Sequence, residues 1–351
     1  MYLRTQSYLA VFFKVPVSRQ LFAKLAVILI CTFAVNLLCI PQVEAITSSV
    51  GKGKVCSFTA RAAYKAGKNE IRDAFWIGYG KCTNLVDSVM REECLAIARE
   101  DFTEAKELVK EQLSARLEVC AALGEAPYDP IINPDDFVDF EAVLAGQQNF
   151  TPQPYFPLIP GLTLIYIVKD SEGNKLERIK VEVLPKSKDI LGVNCIVVRD
   201  RVWEFDDEGG LTLIEDTFDW YAQDLLGNVW YMGEIARNYE DGELVDLEGS
   251  WKGGRDYDMP GFIMVADAQE GDIYRQEFSL GNAEDMGEVV GYLDNLTING
   301  VTYSDVLKTM DYTPVDPEVV EFKYYAPGVG VILEENPLDD ERLELKRIIM
   351  P

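Results

Sequence analysis

The chain has 351 residues, of which 33 are basic and 59 acidic, giving a net charge of −26 at pH 7, and it contains no histidine. The missing imidazole excludes a Ser-His-Asp triad, a Cys-His pair, His-built zinc sites and His-ligated haem. It leaves acid–base chemistry to Asp, Glu, Lys, Tyr or Cys. The negative charge argues against nucleic acid or anionic headgroups as partners.

A metal site in such a chain must use carboxylates and carbonyls, which favours Ca²⁺, Mg²⁺ or Mn²⁺. No sequence motif assigns one. The Ca²⁺-loop pattern is absent, and Asp206-Asp207-Glu208-Gly209-Gly210 and Glu240-Asp241-Gly242-Glu243 read as solvated hairpin tips.

The first 45 residues read as a signal peptide. Arg4, Lys14, Arg19 and Lys24 precede an apolar run over residues 25–40, and Val43-Glu44-Ala45 offers a cleavage site after Ala45. An uncleaved anchor and a lipid attached at Cys39 are the rival readings. Cleavage would leave 29 basic and 58 acidic residues. The expected location is periplasmic or extracellular, with no membrane span after cleavage.

Residues 46–125 are expected to form a helical hairpin. Ala, Glu, Lys, Arg and Leu dominate, and there is no proline between residues 55 and 123. Facing residues of an antiparallel hairpin have a constant sum of residue numbers. Cys56 with Cys120, and Cys82 with Cys94, give the same sum, so both disulfides form in one register. Small residues at steps of three and four along each helix would let the two approach closely. Mild twisting or a break is expected, with Gly67-Lys68-Asn69 as the place for a break, along with a turn at residues 83–87 and a cap from Asp87 or Ser88. Two disulfides suit an oxidising compartment.

Residues 126–161 carry seven prolines and read as a Pro-rich linker with one short helical stretch at 135–144. From residue 162 the apolar period changes to two. About ten antiparallel strands are expected in a β domain over 162–335. The segments are 162–168, 175–184, 193–205, 211–223, 228–239, 243–251, 272–280, 288–296, 319–325 and 330–334. Residues 302–308 are expected as a short helix, and 336–351 as a C-terminal tail. The fold class is therefore α+β, a disulfide-stapled antiparallel helical hairpin followed by a curved sheet, half-barrel or sandwich.

Trp203, Phe218, Trp220, Tyr221, Trp230, Tyr231 and Trp251 cluster in sequence. They are expected either as core or as one concave ligand-facing wall. Asp216, Asp219 and Asp224 lie near them and are the candidates for a carboxylate pair. Cys195, in an apolar strand, is expected to be a buried free thiol.

Val119 to Pro130, Pro154-Tyr155-Phe156-Pro157-Leu158, Asp219 to Asp224, Gly227-Asn228-Val229-Trp230-Tyr231 and Tyr324-Tyr325-Ala326-Pro327-Gly328-Val329-Gly330 carry a resemblance to a family of exported bacterial proteins without an established activity. The Tyr-Ala-Pro-Gly-Val-Gly ending also resembles periplasmic β domains related to lipoprotein-carrier folds. That likeness implies a curved sheet able to hold an apolar ligand.

The resulting expectation is a non-catalytic exported protein whose β domain binds an apolar or extended ligand such as a lipid. A protein-interaction module of the cell envelope and a carboxylate-dependent hydrolase are the alternatives.

Overall fold

The computed structural model describes residues 53–206, 208–338 and 341–351, so the expected signal peptide lies outside the described residues. Among these residues the chain forms two compact units, meeting in sequence between Tyr128 and Asp129.

The first unit is the hairpin. Helix α1 spans Val55–Thr83 and α2 spans Ser88–Leu123. Disulfides join Cys56 to Cys120 and Cys82 to Cys94, with Cα atoms 5.6 and 5.4 Å apart. The small-residue seam keeps the register of the disulfides. A Cβ added at Gly67 would meet Val109 at 3.3 Å, and one at Gly78 would meet Ala98 at 3.8 Å. Both pairs have the same residue-number sum as the disulfides. The break expected at Gly67 is absent and α1 runs through it, because the glycine faces Val109 and permits close approach rather than interrupting the helix.

The carboxylate of Asp87 accepts from the backbone N–H groups of Val89 and Met90 and starts α2. Lys54 gives no side-chain cap to α1. Glu125, just past α2, supplies it instead: its carboxylate accepts from Ser57 N at 2.9 Å and Ser57 Oγ at 2.6 Å. These bonds lower the Glu125 pKa.

The second unit begins with a 3₁₀ turn at Pro134–Asp136 and helix α3 (Phe140–Leu144). Antiparallel strands follow: β1 (Thr163–Lys169), β2 (Lys175–Ile190), β3 (Val193–Phe205), β4 (Leu211–Gln223), β5 (Val229–Ile235), β6 (Asn238–Glu240), β7 (Glu243–Asp246) and β8 (Trp251–Lys252). The rest are β9 (Met259–Met264), β10 (Ile273–Arg275), β11 (Glu277–Phe278), β12 (Met286–Ile298), β13 (Val301–Tyr312), β14 (Val320–Ala326), β15 (Gly330–Asn336) and β16 (Glu341–Ile349).

All belong to one sheet, whose main path runs β10-β12-β13-β14-β15-β16-β1-β2-β3-β4-β5-β9-β11. Its two ends, β10 and β11, are separated in the chain by Gln276 alone. The path thus bends round until its ends adjoin, without hydrogen bonding into a closed ring.

Alternate residues of each strand point to the concave side. Tyr166, Ile179, Val198, Tyr221, Tyr325 and Leu343 belong to the main core there. A smaller cluster on the other face packs Phe137 against Ile190, Cys195, Val197, Trp220 and Met232.

Within the Pro-rich linker, Phe137, Phe140, Phe156 and Leu158 are buried in the β unit, which is where this segment's apolar side chains go. Two expectations are corrected. Residues 302–308 lie in β13, paired with β12 and β14. Asn299 and Gly300 both have positive φ, at 49° and 81°, and make the tight turn that pairs β12 with β13. Residues 336–351 are not a tail, because β16 pairs with both β15 and β1 and buries Leu343 and Leu345.

Candidate functional site

An apolar crevice opens in the β unit where three segments meet. Phe156, Pro157, Leu158 and Leu162 come from the chain leading into β1. Leu164, Val181, Val183 and Val198 come from β1, β2 and β3. Val329, Gly330 and Val331 come from the turn into β15. Including its mouth open to solvent, the empty space of the crevice is about 380 Å³.

Hydrogen bonds fix each wall. Gln153 and Gln223, both buried, hold the entering segment: Gln153 N donates to Gln223 Oε1 at 2.9 Å, and Phe156 N donates to Gln153 Oε1 at 2.9 Å. Gly328 N donates to the Pro154 carbonyl at 2.6 Å, tying the β14–β15 turn to the Pro154–Leu158 stretch. Tyr166 OH donates to the Val331 carbonyl at 3.0 Å. Gly330 has φ +103°, and a Cβ there would stand 3.7 Å from Leu164 and Pro157, so a glycine keeps the crevice from narrowing further.

Further along the concave side the surface turns polar and fully buried. Asp200 follows Val198 by two residues on the same face of β3. Neither of its carboxylate oxygens reaches hydrogen-bond geometry, and the side chain is 2% exposed. Burial, with the nearby charge of Asp219, raises its pKa well above the usual carboxylate range. Burial likewise raises Glu277, helped by Asp285 and Glu234, and Glu177, helped by Glu341.

Lys323 on β14 sits among Asp311 at 3.1 Å, Glu321 at 3.4 Å and Glu334 at 3.8 Å. Burial works against its charge. The three carboxylates outweigh that and raise its pKa. Asp285, half-buried, is pushed up to about 7, chiefly by desolvation.

The seven aromatic residues do not form one wall. Tyr221, Tyr231 and Trp251 belong to the concave core; Tyr221 stacks on Tyr231 at 4.8 Å, and Trp251 meets Tyr231 edge-on at 5.4 Å. Trp220, Phe218 and Trp230 pack with the smaller cluster on the opposite face. Trp203 lies between Arg178 and Arg201. None of the seven lines the crevice, although Phe156, which does, packs edge-on against Tyr221 at 5.1 Å.

Asp216, Asp219 and Asp224 have separate duties. Asp216 pairs with Arg199 at 2.6 Å and Arg237 at 3.3 Å. Tyr231 OH donates to Asp219 at 2.7 Å. Asp224 accepts from the backbone of Leu226 and Asn228 and from the Trp230 indole, and so closes the β4–β5 turn. Cys195 is a buried free thiol whose pKa is raised by burial. Among the described residues, no group of three or more Cys, Asp or Glu is arranged to hold a metal ion.

The crevice was not located from sequence. Its signal was present, because Pro154-Tyr155-Phe156-Pro157-Leu158 and Ala326-Pro327-Gly328-Val329-Gly330 are apolar, proline- and glycine-bearing stretches outside any alternating pattern. The structure brings the two together.

No family model matches the chain, and no curated protein matches it. Among solved structures, it is similar to a Bacteroides fragilis protein designated as exported, with a YmcC-like fold. Identity is 13% and the TM-score 0.33, over 56% of this chain and 100% of the other. A Parabacteroides distasonis protein designated a lipoprotein matches at 10% identity and a TM-score of 0.30, over 57% of this chain and 100% of the other. At these values the likeness carries no functional argument.

No helix among the described residues is long and apolar enough to cross a membrane.

Proposed function

We propose that the β unit is a non-catalytic binding module of the periplasm or cell exterior that takes the end of a slender apolar chain, such as a lipid acyl tail, into the crevice. The observation that supports this reading is an opening lined mostly by aliphatic and proline side chains, continuous with the apolar core of the sheet. Burying apolar surface drives such binding without directional contacts, at about 25 cal/mol per Å². The narrow apolar walls suit a chain end, with the remainder of the ligand lying in the mouth. The disulfides fit an oxidising compartment.

The test is titration of the purified protein with cis-parinaric acid, a fluorescent fatty acid, compared with a Val329→Trp variant. Val329 lines the crevice and is only partly buried, so a larger ring there fills the opening at small cost to the core. Saturable binding that weakens at least about tenfold in the variant, the loss of some 1.4 kcal/mol, supports the reading. Equal binding by parent and variant, or none by the parent, overturns it.

A further inference from the structure

The net charge of the chain is not shared by its two units. Residues 129–351 carry 17 basic and 46 acidic side chains, whereas residues 53–128 carry 11 and 12. The hairpin is close to neutral, and its charges are sorted by side.

Successive residues of a helix are turned by about 100°. Taking Ile71 on α1 and Ala105 on α2 as the facing seam, Arg61, Lys65 and Arg72 lie about a quarter turn from it on α1. Arg99, Lys106 and Lys110 lie about a quarter turn or slightly more from it, in the same sense, on α2. In an antiparallel pair the same sense of rotation leads to the same side of the pair. Phe75 and Phe102, both turned that way, confirm it with ring centroids 5.0 Å apart. Eight of the ten basic residues of the two helices fall on this side, with one of their ten acids.

The basic side also carries exposed aromatics. Trp76 is 64% exposed, and Tyr79, packed against it, is 37% exposed. The hairpin tip adjoins them with Val86, 97% exposed, and with Val89 and Met90, both exposed. Arginine and lysine beside tryptophan and tyrosine, next to exposed aliphatic residues, match an anionic bilayer surface. The cations meet phosphates, the amphipathic rings sit at headgroup depth, and the aliphatic tip enters the acyl boundary.

We propose that this face of the hairpin docks on an anionic phospholipid surface. At physiological ionic strength, charges beyond about 8 Å are largely screened. The local charge of the face therefore governs docking, rather than the sum over the chain. A second copy is a poorer occupant. A two-fold dimer through this face sets basic residues against basic residues, and basic-on-acidic stacking does not close.

The test is co-sedimentation of the purified protein, disulfides formed, with vesicles of phosphatidylcholine alone and with 30% phosphatidylglycerol. The expected result is stronger partitioning onto the anionic vesicles that collapses in high salt. Arg61→Gln, Arg72→Gln and Arg99→Gln should each weaken it about fivefold, at roughly 1 kcal/mol per charge near the surface. The corresponding Arg→Lys variants should restore it. Helical circular dichroism verifies that each variant is folded, and any leader present is common to all of them. Equal partitioning onto both vesicles overturns the proposal, as does a folded triple Arg→Gln variant that binds like the parent. Oligomers dispersed by the triple variant, with no vesicle binding, would instead assign the face to a second copy.

Discussion

Between residues 53 and 128 the helices bury six side chains, two of them half-cystines, and carry both disulfides. Between residues 129 and 351 the chain has no disulfide and buries a core that runs across the whole concave side of the sheet, with charged groups inside it. The hairpin is held by covalent closure of a pair too thin to have an interior. The β unit is held by an interior large enough to enclose ionised groups and their partners. Agents that act on one should leave the other nearly untouched.

The largest effect is expected inside the β unit. Lys323→Met removes the cation from among Asp311, Glu321 and Glu334. Stranding buried carboxylates in this way should cost about 3–5 kcal/mol, read from urea denaturation followed by tryptophan fluorescence. A loss below about 1 kcal/mol would mean that the carboxylates do not depend on the lysine.

Next comes the hairpin. Replacing Cys56 and Cys120 by Ser opens a closure spanning 64 residues, worth about 4 kcal/mol on the chain-entropy account. Hydrogen exchange should rise sharply between residues 55 and 123 and stay unchanged across β1–β5. Increased exchange in the strands as well would break the comparison, because the two units would then not be independent.

The smallest effect is one of pH. A carboxyl whose pKa is raised by folding contributes its full stability below its ordinary value of about 4. That contribution is lost as pH rises through the folded value. Asp200, Glu177 and Glu277 are raised by burial, so the β unit should be more stable at pH 5 than at pH 8. Asp200→Asn should flatten that slope and raise stability at pH 7 by about 1–3 kcal/mol. Among the described residues of the hairpin, the buried charged side chain is Arg116, so its transition should barely respond. A variant with the parent's slope would remove Asp200 from the account.

Legibility from sequence followed the same division. The hairpin register could be read because helical rise and covalent pairing together leave one arithmetic solution, which Gly67 and Gly78 also obey. The strands could be read where polar and apolar residues alternate cleanly, as in β1 to β4. β16 escaped because its alternation, Leu343 and Leu345 among Glu341, Arg342, Glu344 and Lys346, is dominated by charge. β13 escaped although Asn299-Gly300 announces a tight hairpin.

The alternative reading of these aromatics as one wall, rather than as core, overlooked strand parity. Trp220 and Tyr221 are neighbours, as are Trp230 and Tyr231, and a period of two sends neighbours to opposite faces. The crevice was least legible, because its walls come from segments some 170 residues apart that only the folded sheet brings together.

The position of β16 has a consequence for how the protein comes into being. It follows the other strands of the sheet in sequence, yet it lies between β15 and β1, joining the run β12–β15 to the run β1–β5. Until it arrives, both runs have an unpaired edge, and an unpaired edge invites association with other chains. The β unit thus cannot close these edges before residue 349 has been made. A nascent chain stalled before β16 should be soluble only if a chaperone or a partner strand covers that gap.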